Sequence, residues 1–170
     1  HLDNAGQARM VDVTAKTPTV RAATAAGRVV CAPETVALLR DGGLPKGDVL
    51  AVARIAGIAA AKRTPELLPL AHVIGVHGVT VDLAIVDDGV DITAIVRTAD
   101  RTGVEMEALT AVAVAALNVI DMVKGRDRGA HIADVRLLAK EGGRSGTWTR
   151  QGEAAAHGDG WGLPLPPWEA

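Results

Sequence analysis

Asp121 and Lys124 stand three residues apart in a stretch with helical periodicity. That spacing puts a carboxylate and an ammonium side by side on one helix face. Such a pair is either an ordinary helix ion pair or, beside a substrate, a pair that passes a proton. The lysine matters for the second reading. Of the 18 basic residues 13 are arginine, and only Lys16, Lys46, Lys62, Lys124 and Lys140 are lysine. Arginine stays protonated at any working pH, whereas lysine gives up its proton when its surroundings lower its pKa. Four of the five lysines sit in chemically suggestive places. Lys46-Gly47-Asp48 opens a helix, where backbone N–H groups receive phosphate, although a solvated turn has the same composition. Lys62-Arg63-Thr64 closes that helix, as a phosphate clamp or as cations complementing the helix dipole. Lys140 precedes the glycine-rich run Gly142-Gly143-Arg144-Ser145-Gly146, an anion cradle or a mobile surface loop, and not a Walker motif.

The carboxylates form a second set. Glu105 and Glu107 flank Met106 just after Thr102-Gly103, at a helix start where acids are favoured by the dipole. Two apart, they point to different sides of the helix and are no acid/base dyad. One of them can accept from the amino and ring N–H groups of a guanine-like ring. Leu70-Ala71-His72 follows an apolar stretch; His72 is a hydrogen-bonded core residue or a ligand, and His77 reads as structural or exposed. No His and carboxylate pair has the spacing of a metal site, so no protein-bound metal is expected.

Composition narrows the field. A formal net charge of -2 argues against nucleic acid, and with no Phe or Tyr and three Trp, base stacking is excluded as a theme. The core must be aliphatic. A single cysteine, Cys31, fits a reducing compartment and reads as a small buried hydrophobe, so a cytoplasmic location is expected. No apolar run suits a membrane span and no secretory signal is visible. The chain begins at His1 without methionine, so the native start is expected elsewhere.

These groups need elements to hold them. Residues 1–26 read as an extended arm, and Gly27–Ala32 as the first strand. Pro33 begins a short helix through Arg40, ended by Gly42-Gly43. Asp48 is the N-cap of a helix from Val49 to Arg63. Val76–Val86 and Val90–Ala99 alternate like half-buried strands about an Asp87-Asp88-Gly89 turn. A long helix runs from Val104 to about Lys124, and Ile132–Ala139 is the last strand. The result is one α+β domain over residues 1–150, a ferredoxin-like βαββαβ sandwich with an additional short N-terminal helix. Its helices lie on one face. Val and Ile on both sides of several strands suggest that a second subunit covers the other. Residues 151–170, rich in Gly and Pro with Trp161 and Trp168, form a tail without regular structure. Distances add a condition. Lys46 and Lys62 are roughly 24 Å apart along their helix, and Glu107 and Asp121 about 21 Å along theirs. Either the ligand is long or two copies of the chain contribute to a site.

Several segments together carry a family resemblance. They are Met10-Val11-Asp12-Val13, Lys46-Gly47-Asp48, Ala53-Arg54-Ile55-Ala56-Gly57-Ile58 with Ala61-Lys62-Arg63-Thr64, Thr102-Gly103-Val104-Glu105-Met106-Glu107-Ala108-Leu109-Thr110, Asp121-Met122 with Lys124, and Val135–Lys140. In this order they closely resemble the molybdenum-cofactor biosynthesis protein C family, the cyclic pyranopterin monophosphate synthases, over residues 1–149. The resemblance implies a ferredoxin-like fold and a homohexamer, a trimer of dimers with active sites between subunits. The implied substrate is 3′,8-cyclo-7,8-dihydroguanosine 5′-triphosphate, and the products are cyclic pyranopterin monophosphate and diphosphate. It implies acid/base roles for Asp121 and Lys124 with Lys46 reaching in from its loop. It further implies substrate binding by Leu70, Ala71, His72, Met106 and Glu107, joined by Glu105 and Thr102, and triphosphate binding by Lys62, Lys140 and Arg21. No cofactor is required, and Mg²⁺ can accompany the triphosphate. One departure stands out: the family's Leu-Cys-His-Pro is here Leu70-Ala71-His72-Val73. The competing class is a non-catalytic module that binds an anionic ligand in a dimer cleft.

Overall fold

The central strand is built largely of alanine. In the computed structural model, which describes residue 2 and residues 5–152, strand β1 runs Thr19–Val30. It begins eight residues before the expected Gly27, so residues 19–26 are sheet rather than arm. Alanine has little strand propensity and shows no large/small alternation, which hides this start from a propensity reading. Packing supplies the reason for the small side chains. The buried inward positions Ala23, Ala25 and Val29 alternate along β1 beneath a helix. At Gly27 an added Cβ would stand 2.7 Å from the Val112 side chain and 2.7 Å from the Asp134 carbonyl, so only glycine fits.

After β1 come α1 (Pro33–Arg40), α2 (Val49–Ala61), a single turn α3 (Thr64–Leu67), β2 (Gly78–Val86), β3 (Gly89–Asp100), α4 (Glu105–Val123), β4 (His131–Glu141) and β5 (Trp148–Thr149). The order in the sheet is β2-β3-β1-β4-β5, every neighbouring pair antiparallel. Helices α2 and α4 pack on each other and on the same face of this sheet. The mixed α+β class is therefore as expected. Short β5, which extends the sheet beyond β4 by pairing Trp148 with Lys140, was not foreseen.

The interior lies between α4 and the sheet. Ala108, Ala111, Val112, Ala115, Ala116, Val119 and Val123 follow a three-and-four spacing and are all fully buried. Each buried valine contributes about 1.5–3 kcal/mol through apolar burial. Among the described residues α4 is the one helix long and apolar enough to cross a membrane, and half of it is buried inside this core.

The opposite face of the sheet differs from the expectation of Val and Ile on both sides. Its β1–β3 pairs are Ala22 with Arg97, Thr24 with Ile95, Ala26 with Thr93, and Arg28 with Asp91. Arg28 grips Asp91 with two hydrogen bonds, of 2.6 and 2.8 Å. Small, hydroxyl and paired charged groups dominate there. The apolar alternation seen in the sequence belongs mainly to the helix-facing side. The tail from residue 153 onward, with Trp161 and Trp168, lies outside the described residues.

Candidate functional site

Lys46 is delivered to its place by the α1–α2 loop. Gly42 takes φ +64° just after α1, and Leu44 is buried in the core and anchors the loop. Gly47, at φ +88°, returns its N–H to the Leu44 carbonyl. The Asp48 side chain then accepts from Ala51 N and starts α2. The lysine held between anchor and cap reaches the last turn of α4. Its Nζ donates to the Asp121 carbonyl at 2.7 Å and to Asp121 Oδ2 at 3.1 Å. Lys124, at the α4 C-cap, donates to Asp121 Oδ1 at 2.6 Å. One carboxylate therefore sits between two ammonium groups. Hydrogen bonds from Lys124 and then Lys46 hold the Asp121 carboxyl below the usual carboxylate range. All three side chains are half exposed or more, and exposed ion pairs add little to stability. The arrangement leaves one surplus positive charge facing solvent. The sequence-based distance condition is thus too strict for this group, because Lys46, Asp121 and Lys124 meet within one chain.

A second group occupies the other end of α4. Arg21, on the helix-facing side of β1, donates to the carbonyls of Asp100 at 3.1 Å and Arg101 at 3.2 Å. Lys140 lies diagonally across from it on β4, opposite Ala23. Its ammonium is 3.5 Å from Glu105 and donates to the Ser145 hydroxyl. The loop after β4 turns through Gly142 and Gly143, both at positive φ, and passes directly over the Arg21 guanidinium. A Cβ at position 143 would meet that guanidinium head-on. Between the loop and β1 opens a cavity of about 650 Å³ lined by Lys16, Thr17, Thr19, Arg21, Gly143, Arg144 and Ser145. Three cations and no carboxylate line it, which suits a polyanion. Lys16 was the one lysine without a role in the sequence. Arg101 places it, donating from Nε to the Lys16 carbonyl at 3.0 Å.

Glu107 is buried beside this group. Burial raises its pKa, the charge of Glu105 adds to the shift, and His72 opposes it. His72 itself meets the Val11 carbonyl at 2.6 Å. A carbonyl only accepts, so Nε2 carries the hydrogen and the arm is tied across His72. Met106 and Leu70 are exposed, Ala71 and Thr102 half-buried, and Val73 almost fully exposed. Lys62 is the C-cap of α2. Since α2 runs from the Lys46–Asp121 contact past the Gly57–Ala111 approach, Lys62 ends at the Glu105 end of the molecule.

The structure thus sorts the expected site residues into two sets. Lys46, Asp121 and Lys124 converge at one end of α4. Arg21, Lys140, Glu105, Glu107 and His72 gather toward the other, with Lys62 on that side. The sets are about 21 Å apart along the helix. Among the described residues there is no group of three or more His, Cys, Asp or Glu able to hold a metal.

Comparison with known proteins gives the family of the chain. The cyclic pyranopterin monophosphate synthase of Streptomyces coelicolor is 65% identical over 150 residues, covering 88% of each chain. The synthase of Streptomyces avermitilis is 63% identical over the same length and coverage. Cyclic pyranopterin monophosphate synthase 2 of Mycobacterium tuberculosis H37Rv is 58% identical over 151 residues, 89% of this chain and 90% of its own. The MoaC family model matches residues 10–143, a span that holds both ends of α4 and every residue of the two sets. On that match and these identities, the chain belongs to the MoaC family.

Proposed function

We propose that the chain catalyses the cyclic pyranopterin monophosphate synthase reaction of molybdenum-cofactor biosynthesis. It converts (8S)-3′,8-cyclo-7,8-dihydroguanosine 5′-triphosphate to cyclic pyranopterin monophosphate and diphosphate, as a phosphorus–oxygen lyase. The observation that carries this reading is Asp121 held between Lys46 and Lys124. Rebuilding a purine-derived ring system into a pterin moves several protons, and lysines hydrogen-bonded to one carboxylate supply donors at fixed positions. Asp121, kept ionised, orients both ammonium groups and stabilises the positive charge of a lysine that accepts a proton. Arg21, Lys140 and Lys62 bind the triphosphate and stabilise the departing diphosphate. Glu107 and Glu105 accept from the base's N–H groups; Thr102, Met106, Leu70, Ala71 and His72 border it.

In this reading the fold is the ferredoxin-like βαββαβ sandwich, supported by the strand order β2-β3-β1-β4 and by α2 and α4 sharing a face. The chain works as a homohexamer, a trimer of dimers, with each site completed between subunits. Support for that comes from the distance of about 21 Å between the two sets, which one nucleotide bound to a single chain does not bridge. The substrate brings any Mg²⁺ with its phosphates, and no resident cofactor takes part. The single thiol supports a cytoplasmic location.

The test is release of diphosphate from the authentic cyclised nucleotide by purified protein, beside Lys124→Ala and Lys46→Ala. Turnover by the wild type and its loss in both variants is expected. A wild type that binds the nucleotide but releases nothing overturns the enzyme reading and leaves the anion-binding module.

A further inference from the structure

We propose that Asp127 is a positioning residue for the Lys46–Asp121–Lys124 group. The inference rests on the synthase reading above. Asp127 lies three residues past Lys124 and is nearly fully buried. Its own N–H returns to the Val123 carbonyl at 2.9 Å, which fixes it to the last turn of α4. Its carboxylate reaches back across the sequence to the start of α1. Oδ2 accepts from Ala32 N at 2.7 Å and Oδ1 from Gly129 N at 2.9 Å. Ala32 is the N-cap of α1 and has no side chain able to cap it. Asp127 therefore takes the N-cap N–H, the bond that a capping-box Glu makes from within a helix elsewhere, and does so from the end of the element that carries Asp121 and Lys124.

The consequence follows from chain connectivity. Helix α1 leads directly into the loop that holds Lys46. That unit is pinned to the end of α4 at two points, Asp127 at its beginning and Asp121 at its far end. The Lys46 contact is exposed and adds little hold by itself. The Asp127 contact is partly buried, and an acceptor lost there leaves N–H groups without a protein partner. Without Asp127, the start of α1 loses its tie to the end of α4 and Lys46 loses its register with Asp121. The triphosphate end, at Arg21 and Lys140, has no contact with this corner and keeps its geometry.

The chain contains its own reporter of the corner. Cys31, its single cysteine, is buried next to Ala32, with its thiol pushed up to about 11 by burial and then by the Asp127 charge. Asp127→Ala and the isosteric Asp127→Asn are compared with wild type in three measurements. These are kcat and KM on the cyclised nucleotide, the rate of Cys31 labelling by an aromatic disulfide reagent, and amide hydrogen exchange over residues 41–48. Expected are a kcat at least about tenfold lower with KM within about twofold, as for an oriented donor displaced without loss of binding. Faster Cys31 labelling and faster exchange over 41–48 accompany it. An unchanged kcat, or a loss confined to KM, overturns the proposal, as does unaltered exchange over 41–48. If Asp127→Ala does not fold, Asp127→Asn decides by the same criteria. A wild type without turnover sinks the synthase reading, while labelling and exchange still decide whether Asp127 holds the loop.

Discussion

Asp121→Asn separates a catalytic role from a structural one. The substitution keeps shape and removes the charge that both lysines face. Of the three hydrogen bonds at this residue, the one from Lys46 to the backbone carbonyl is untouched. The two to the carboxylate, at 3.1 Å from Lys46 and 2.6 Å from Lys124, become bonds to a neutral amide or are lost. Because these side chains are about half exposed, their ion pairs are screened, and the melting temperature should move by about 2 °C or less. Proton transfer is another matter. If the carboxylate orients both ammonium groups and stabilises a lysine that accepts a proton, its removal should lower kcat by roughly 10²–10⁴-fold. KM should change by less than about threefold, since the proposed phosphate ligands lie at the other end of α4. The assay is diphosphate release under saturating substrate, with thermal melts on the same preparations. Activity within about threefold of wild type would refute the reasoning. So would a melting temperature lowered as much as by a core substitution, since the group would then be structural.

Glu107→Gln tests the buried carboxyl. Its folded pKa is raised above 4.5, so folding favours its protonated form, and the stability this gives is present below about 4.5 and lost as pH rises through the folded pKa. The glutamine variant should therefore melt higher than wild type at neutral pH, with the gap closing toward pH 4.5, while turnover falls; a gap that widens on acidification contradicts this. Gly27→Ala places a Cβ 2.7 Å from a backbone carbonyl and from Val112, and should cost about 1–3 kcal/mol in urea unfolding. Arg144→Ala removes one cation from the cavity and should raise KM by roughly tenfold at low salt, the gap to wild type narrowing as salt screens that contact, with kcat kept; an equal loss in kcat assigns it elsewhere.

Much of this architecture is written in local patterns. The Asp48 cap, the three-and-four spacing of α4 and the two-residue turn between β2 and β3 each follow from neighbours in sequence, and each is where the pattern puts it. The start of β1 is not, because its alanines are buried in a strand that packs against α4, a helix some eighty residues away. The candidate site divides in the same way. Asp121 with Lys124 is legible as a helix pair. The arrival of Lys46 depends on the Leu44 anchor, and the placement of Lys16 on a hydrogen bond from Arg101, and no local spacing encodes either.

Trp148 on β5 has one more consequence. The chain contains no tyrosine or phenylalanine and three tryptophans, two of them beyond residue 152. Trp148 pairs with Lys140 across the β4–β5 ladder and lies under the Arg150 guanidinium, 5.9 Å from its ring centre. With Trp161 and Trp168 replaced, the near-ultraviolet emission of the protein comes from this single indole. Its neighbour Lys140 is bonded to the Ser145 hydroxyl in the rim of the cationic cavity. An anion that draws Lys140 away alters the field at that indole. Binding and turnover can then be followed by light from the native sheet edge, with no attached dye.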